Sequence, residues 1–264
     1  MTTLHKRLRL NFQVLLLVLL STSLGHAKNK GSEVTPEKAR TIIEEAAKKK
    51  DFSKEFKEIV AAPESVEKVL IEVLQTSTNR WEERWFCAIT LGKRKSPQAK
   101  AALLKAVQDE LFIVRQAAVQ GLSYFDDVDT MAAIRNAMND TAMVVRSEVV
   151  DAITKRNDVG AIDVLQKELY EGRNFQKGRS MWIRPQIIHA FGLLGESSAV
   201  DALVKALKDK DELVVTQSCK SLHTLSLKHQ WDYPVKYQDC AQAWTRWYEA
   251  RNEKSEKKEV KNKS

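Results

Sequence analysis

Residues 109–125, DELFIVRQAAVQGLSYF, decide the fold of this chain. Counted from Arg115, Ala118 and Leu122 stand three and seven positions on, which places them on one helical face. The same pattern opens at Arg84, Arg146 and Arg184, at spacings of 31, 31 and 38 residues. It carries Cys87, Val149 and Ile187 at the third position, and Leu91, Ile153 and Phe191 at the seventh. A second apolar pair follows at positions nineteen and twenty-three: Leu103/Val107, Ile134/Met138, Leu165/Leu169 and Leu203/Leu207. Between the two halves lie Lys95-Ser96-Pro97, Asp126-Asp127, Asn157-Asp158 and Glu196-Ser197-Ser198, all turn or helix-start chemistry. Each unit therefore reads as two amphipathic helices. Neither can bury its stripe alone, so the units must stack, and the expected class is all-α: a solenoid of stacked antiparallel helix pairs.

An acid stands twenty-five residues after each arginine: Asp109, Asp140, Glu171 and Asp209. At a helix entry such a carboxylate can cap free amides and pair with the arginine next door. This alternation reads as a structural ladder that fixes how units stack.

Together with DTAMVVRSEVVDAI (140–153) and GLLGESSAVDALVKALKDKD (192–211), the opening segment resembles HEAT-like repeats of the short kind. The resemblance covers about residues 84–226. It implies a solenoid whose second helices line the concave side. Some members are enzymes, among them bilin lyases and deoxyhypusine hydroxylase, which holds iron with paired His-Glu motifs. Here His189, His223 and His229 precede Ala190, Thr224 and Gln230, so that iron pattern is missing and the activity is not carried over. No glycine-rich phosphate loop or Gly-x-Ser-x-Gly elbow is found. The expectation is a non-enzymatic chain with no catalytic residues, cofactor or metal.

Residues 1–27 read as an export signal: Lys6, Arg7 and Arg9, an apolar run over 12–20, and Gly25-His26-Ala27 at the cleavage position. The run is short for a membrane span, so no stable membrane insertion is expected after cleavage. The expected location is periplasmic or secreted. Of the net charge of +8, three belong to that segment and two to residues 249–264. The remaining excess is too mild for a nucleic-acid binder. Cys87 and Cys219 share a repeat position four units apart, beyond disulfide reach. Cys219 and Cys240 share the terminal unit and are the candidate disulfide. With three cysteines, at least one stays free or pairs between chains.

Residues 28–35 read as a disordered linker, 36–83 as an N-terminal helical cap with a degenerate repeat, and 84–226 as the repeats. An aromatic cap over 227–249 carries Trp231, Tyr233, Trp244 and Trp247, and 250–264 reads as a charged, unfolded tail. Its W-D-Y and C-A-Q-A-W-T-R-W-Y segments resemble the caps of exported bacterial HEAT-repeat proteins.

Two features point to a protein or peptide partner. The third repeat carries an insertion over 171–184 with Arg173, Phe175, Lys177, Arg179 and Trp182, and Arg and Trp recur at binding hot spots. Lys105, Lys167 and Lys205 form a row on the second helices, although Asp163 and Asp201 stand four residues before the last two as ordinary helix pairs. The alternative ligand for that row and the basic tail is an envelope polymer or an anionic lipid headgroup. An enzyme related to HEAT-type lyases is the third reading. Trp81 and Trp85 read as cap residues, and Cys219/His223 matches no zinc spacing.

Overall fold

The computed structural model describes residues 34–231 and 240–262. Helices cover most of them, and the sheet among them is one two-stranded hairpin. The chain adopts the all-α solenoid class that its repeat predicts. The signal over 1–27, nearly all of the linker over 28–35 and the Tyr233-Pro234 part of the aromatic cap lie outside the described residues. Among the described residues no helix is long and apolar enough to cross a membrane. The chain divides into two compact units, one ending at Thr130 and the other starting at Met131.

The first unit opens with α1 (Pro36–Lys48), where Thr35 accepts from the Lys38 amide at 3.3 Å and Pro36 presets the first turn. Its buried stripe is Ala39, Ile42, Ile43 and Ala46. Then come α2 (Ser53–Val60), α3 (Ser65–Gln75), α4 (Trp81–Arg94), α5 (Pro97–Ala106) and α6 (Phe112–Leu122). Lys95, at φ 57°, ends α4, and Ser96 starts α5 by accepting from the Ala99 amide at 2.9 Å. Arg94 caps α2: it donates to the carbonyls of Ile59 and Ala62, both at 2.9 Å, and pairs with Glu67 at 3.3 Å. A guanidinium there meets the negative end of the helix dipole. The first helices of the repeats approach very closely. A Cβ placed on Gly92 of α4 would lie 2.4 Å from Gly121 Cα of α6.

A helix α7 (Val128–Asn136) carries the boundary between the units. The second unit contains α8 (Met143–Lys155), α9 (Ile162–Leu169), the hairpin β1 (Phe175–Gln176) and β2 (Arg179–Ser180), and α10 (Ile183–Leu194). It finishes with α11 (Val200–Ala206), α12 (Glu212–His229) and α13 (Cys240–Asn262). Here too the first helices are tight: a Cβ on Gly192 of α10 would meet Ser221 Oγ of α12 at 2.8 Å. The second helices α9 and α11 instead meet chiefly through the turn before α11, where Gln166 donates to the Ser198 carbonyl at 3.1 Å. In this unit the first helices are the close-packed layer and the second helices the looser one.

The last helix closes on an aromatic cluster. Trp244 is fully buried and meets Trp247 edge-on at 5.2 Å, while Trp231 lies 4.8 Å from Trp247. Cys219 and Cys240 form a disulfide with their Cα atoms 6.0 Å apart, and Cys87 is a free, buried thiol. α13 runs on to Asn262, which corrects the reading of the charged tail as unfolded. Residues 250–262 contain neither Gly nor Pro and are rich in Glu, Lys and Arg, all good helix formers. A helix already nucleated at Trp244 needs only propagation to continue through them. Reducing the disulfide is expected to lower the local stability of α13 by about 2 kcal/mol, at the low end for a bridge of this loop length because Trp244 still anchors the helix. Amide exchange in α13 should accelerate with reductant while exchange in α4 and α6 stays unchanged.

Candidate functional site

The buried arginines set the frame. Arg84 donates through Nε to the Leu74 carbonyl at 2.9 Å and grips both carboxylate oxygens of Asp109. Arg184 repeats this with the Leu169 carbonyl at 2.9 Å and Asp209 at 2.5 Å. Both acids therefore pair with the arginine twenty-five residues before them, and the next arginine along takes backbone carbonyls instead. Arg115 donates to the Asp109 carbonyl at 2.7 Å, and Arg146 to that of Asp140 at 2.8 Å. Each acid also caps the following helix entry: Asp109, Asp140 and Asp209 accept from the amides of Leu111, Ala142 and Asp211 at 3.0, 2.8 and 2.9 Å. Burial pushes the Asp209 carboxyl up, but Arg184 and the amides of Lys210 and Asp211 together hold it below the usual carboxylate range.

The third repeat departs from this pattern. Its insertion displaces Glu171, the acid expected by register, and Arg146 turns to Glu168 at 2.8 Å and to Asn174 Oδ1 at 2.8 Å. Asn174, fully buried, also donates to Glu168 Oε1 at 2.8 Å and to the Glu168 carbonyl at 2.7 Å. The insertion thus brings its own partner for the repeat arginine. Its tip is a two-residue turn with Lys177 at φ 51° and Gly178 at φ 74°, the left-handed pair that matches hairpin twist.

Within the insertion the expected site residues separate into two groups. Arg173 is engaged internally, donating to the Met138 carbonyl at 3.0 Å and pairing with Glu168 at 2.5 Å. The Phe175 ring lies under the Arg184 guanidinium at 4.3 Å. Those two contacts fasten the root of the hairpin, and Arg173 stays exposed while Phe175 is half-buried. Lys177 and Arg179 are exposed, and Trp182 is 48% exposed at the entry of α10. Lys105, Lys167 and Lys205 are all exposed on second helices. Lys205 does not pair with Asp201: it sits 4.5 Å over the Tyr170 ring, while Asp201 accepts from Tyr248 at 2.8 Å. Lys167 borders an open hollow of about 270 Å³ beside Met138, Asn139, Val164 and Arg173.

The close-packed first helices hold a polar network that the repeat pattern did not single out. Gln186 of α10 reaches back to α8, accepting from Ser147 Oγ at 2.9 Å and donating to Asp151 Oδ1 at 2.8 Å. One turn along, His189 Nδ1 lies 3.0 Å from Gln217 Nε2 of α12. Asp151 and His189 share one repeat position, five after the arginine, where the other units carry Ile89 and Gln120. That chemical variety, amid uniform apolar positions, was the available signal. In the first unit, Trp85 Nε1 donates to Gln116 at 3.3 Å across the same layer and packs edge-on to Phe52 at 5.6 Å.

Burial raises the Asp151 carboxyl above its ordinary range, partly offset by Gln186 and His189. The folded chain therefore takes up this proton more readily than the unfolded chain, so the group's contribution to stability falls as pH rises through the window above the ordinary Asp value. Asp151→Asn keeps an acceptor for Gln186. It is expected to hold or raise stability at neutral pH, by no more than about 1 kcal/mol. Urea titrations between pH 4 and 7 should show the parent gaining on the variant as pH falls.

Two-helix units stacked through a tight first layer, with a guanidinium buried at the turn, define a helical-repeat protein. A model of HEAT repeats matches residues 35–122 and 104–176, together more than half of the chain, and the chain belongs to this family. No curated protein shows significant sequence similarity to it. Among solved structures, the complex of CpcE and CpcF of phycocyanin lyase from Nostoc sp. PCC7120 is similar at 17% identity and a TM-score of 0.42, over 87% of this chain and 99% of that one. Human deoxyhypusine hydroxylase is similar at 12% identity and TM-score 0.41, over 83% and 98%. A designed armadillo repeat protein is similar at 14% identity and TM-score 0.45, over 82% and 98%.

Proposed function

We propose that the chain is an exported, non-enzymatic scaffold that binds a protein or peptide partner, with the 171–184 insertion as a principal contact. The observation that carries this reading is the hairpin itself. Its root is fastened by Asn174, Arg173 and Phe175, while Lys177, Arg179 and the half-exposed Trp182 project from it. A rigid base with a free aromatic and two cations is the anatomy of a hot spot. The basic and apolar start over 1–27 supports export, and the Cys219–Cys240 bridge suits an oxidising compartment. The test is capture from native envelope extract by the parent and by a variant with Lys177, Arg179 and Trp182 changed to Ser. These positions leave the root intact. One protein retained by the parent and lost by the variant supports the reading, and equal recovery sinks the insertion as the site.

A second reading, an envelope polymer or anionic lipid headgroup as ligand, is favoured by the exposed Lys105 and Lys167. Steep loss of binding with added salt would mark it, whereas a protein interface tolerates salt better.

A further inference from the structure

Several buried or partly buried carboxylates among the described residues are matched with cations. Glu55 pairs with Lys49 at 2.6 Å, Glu67 with Arg94 at 3.3 Å, Glu168 with Arg146 at 2.8 Å and Asp209 with Arg184 at 2.5 Å. Asp158 accepts from Arg135 Nε at 2.7 Å. Asp151 is different. It is partly buried in the middle of α8, away from the helix start, and among the described residues no Lys or Arg pairs with it. Its Oδ1 is held by Gln186 at 2.8 Å, and the titratable group nearest in the network is His189 on α10. Gln186 is itself fully engaged, since its Nε2 also donates to the Ser147 carbonyl at 3.1 Å and its Oε1 accepts from Ser147. The carboxylate is thus oriented, with His189 as its nearest titratable neighbour in the network and no Lys or Arg paired with it among the described residues. A carboxylate desolvated in this way is neutralised by a proton or by a cation from outside the fold.

The surroundings of this point are apolar and open. Trp182 stands one helical turn before Gln186, Leu193 one turn after His189, and Leu213 one turn before Gln217. They are 48%, 53% and 59% exposed, at the entry of α10, on α10 and on α12. A charged centre bordered by exposed large apolar side chains fits a polypeptide better than a free ion. Asp151 and His189 alone also give too few donors for a metal, and among the described residues no group of three such ligands occurs.

We infer that the first-helix face of the second unit takes an extended segment of the partner protein that carries a lysine or arginine, with Asp151 receiving the cation and Trp182, Leu193 and Leu213 covering the flanking apolar residues. This rests on the reading of the chain as a peptide-binding scaffold and adds the chemistry of what it reads. Trp182, two residues beyond β2, belongs to both contacts.

The test is selection of a displayed random heptapeptide library on the full chain, followed by affinity measurement with the best synthetic peptide. The parent should enrich peptides with Lys or Arg beside apolar residues. Asp151→Asn should weaken the best of them about thirtyfold, the scale for removing one partner of a desolvated charge pair. Replacing the peptide's basic residue by Gln should cost the same, and combining both changes should add nothing further. Leu213→Ser, at an exposed position, should also weaken the peptide. An unchanged melting temperature confirms that Asp151→Asn folds, and the peptide-side substitution and Leu213→Ser read out the same contact if it does not. Enriched peptides lacking a basic residue, or equal affinity for Asp151→Asn, overturn this inference while the peptide-binding reading stands. If the parent enriches no peptide, both fall.

Discussion

Replacing Arg146 by Met is expected to lower the unfolding free energy of the second unit by about 3 kcal/mol, the low end for breaking a buried ion pair from one side because Arg173 still pairs with Glu168. Met keeps the length of the side chain and removes the charge. Glu168 then loses the guanidinium at 2.8 Å, and Asn174 loses the donor to its Oδ1 at 2.8 Å. Both are buried, so neither can recover a hydrogen bond from bulk water. The carbonyls of Asp140 and Thr141, which accept from Arg146 at 2.8 and 2.9 Å, are left as well. Urea unfolding followed by far-UV dichroism measures the total, and amide exchange at Asn174 reports whether the hairpin root loosens first. A loss below about 1 kcal/mol for Arg146→Met would mean that the pair is solvated and the ladder is ornamental.

Gly92→Ala carries the second large effect, about 3 kcal/mol of destabilisation in the first unit. Alanine is intrinsically the better helix residue by about 1 kcal/mol, so propensity alone predicts the opposite sign. The approach of α6 decides it. The new methyl would lie 2.4 Å from Gly121 Cα and 2.5 Å from the Gly121 oxygen. Those are backbone atoms that cannot rotate away, so the two helices must separate. Thermal melting of Gly92→Ala beside an exposed control, Gly172→Ala, which has nothing within 4 Å, separates the clash from the propensity gain.

Much of the architecture was legible because each unit repeats the same apolar offsets. Leu91, Leu122, Ile153 and Phe191 share one position and are all fully buried. Gly92 and Gly192, which set the layer spacing, both stand eight residues after their repeat arginine, but Ser123 and Thr154 fill that place in the other two units, so the close approach of the first helices was only faintly marked. Arg94 sits in a run, Gly92 to Pro97, that reads as a turn, yet it caps a helix more than thirty residues upstream. A contact of that kind belongs to the fold and leaves no local pattern. Arg173 and Phe175 have the composition of a hot spot, and composition alone cannot show that they also make contacts within the chain. Asp151 was legible only as one member of a chemically varied repeat position. That no Lys or Arg among the described residues pairs with it emerges only from the fold.

The exchange of Glu171 for Glu168 and Asn174 has a consequence for engineering. Residues 171–182 behave as a portable cassette: they interrupt a repeat and also supply the acceptor that the interruption takes away. Grafted after Val107 or Leu207, the same twelve residues should be accommodated only where a glutamate stands three positions before the splice. A loop lacking an Asn174 equivalent should fail at every site.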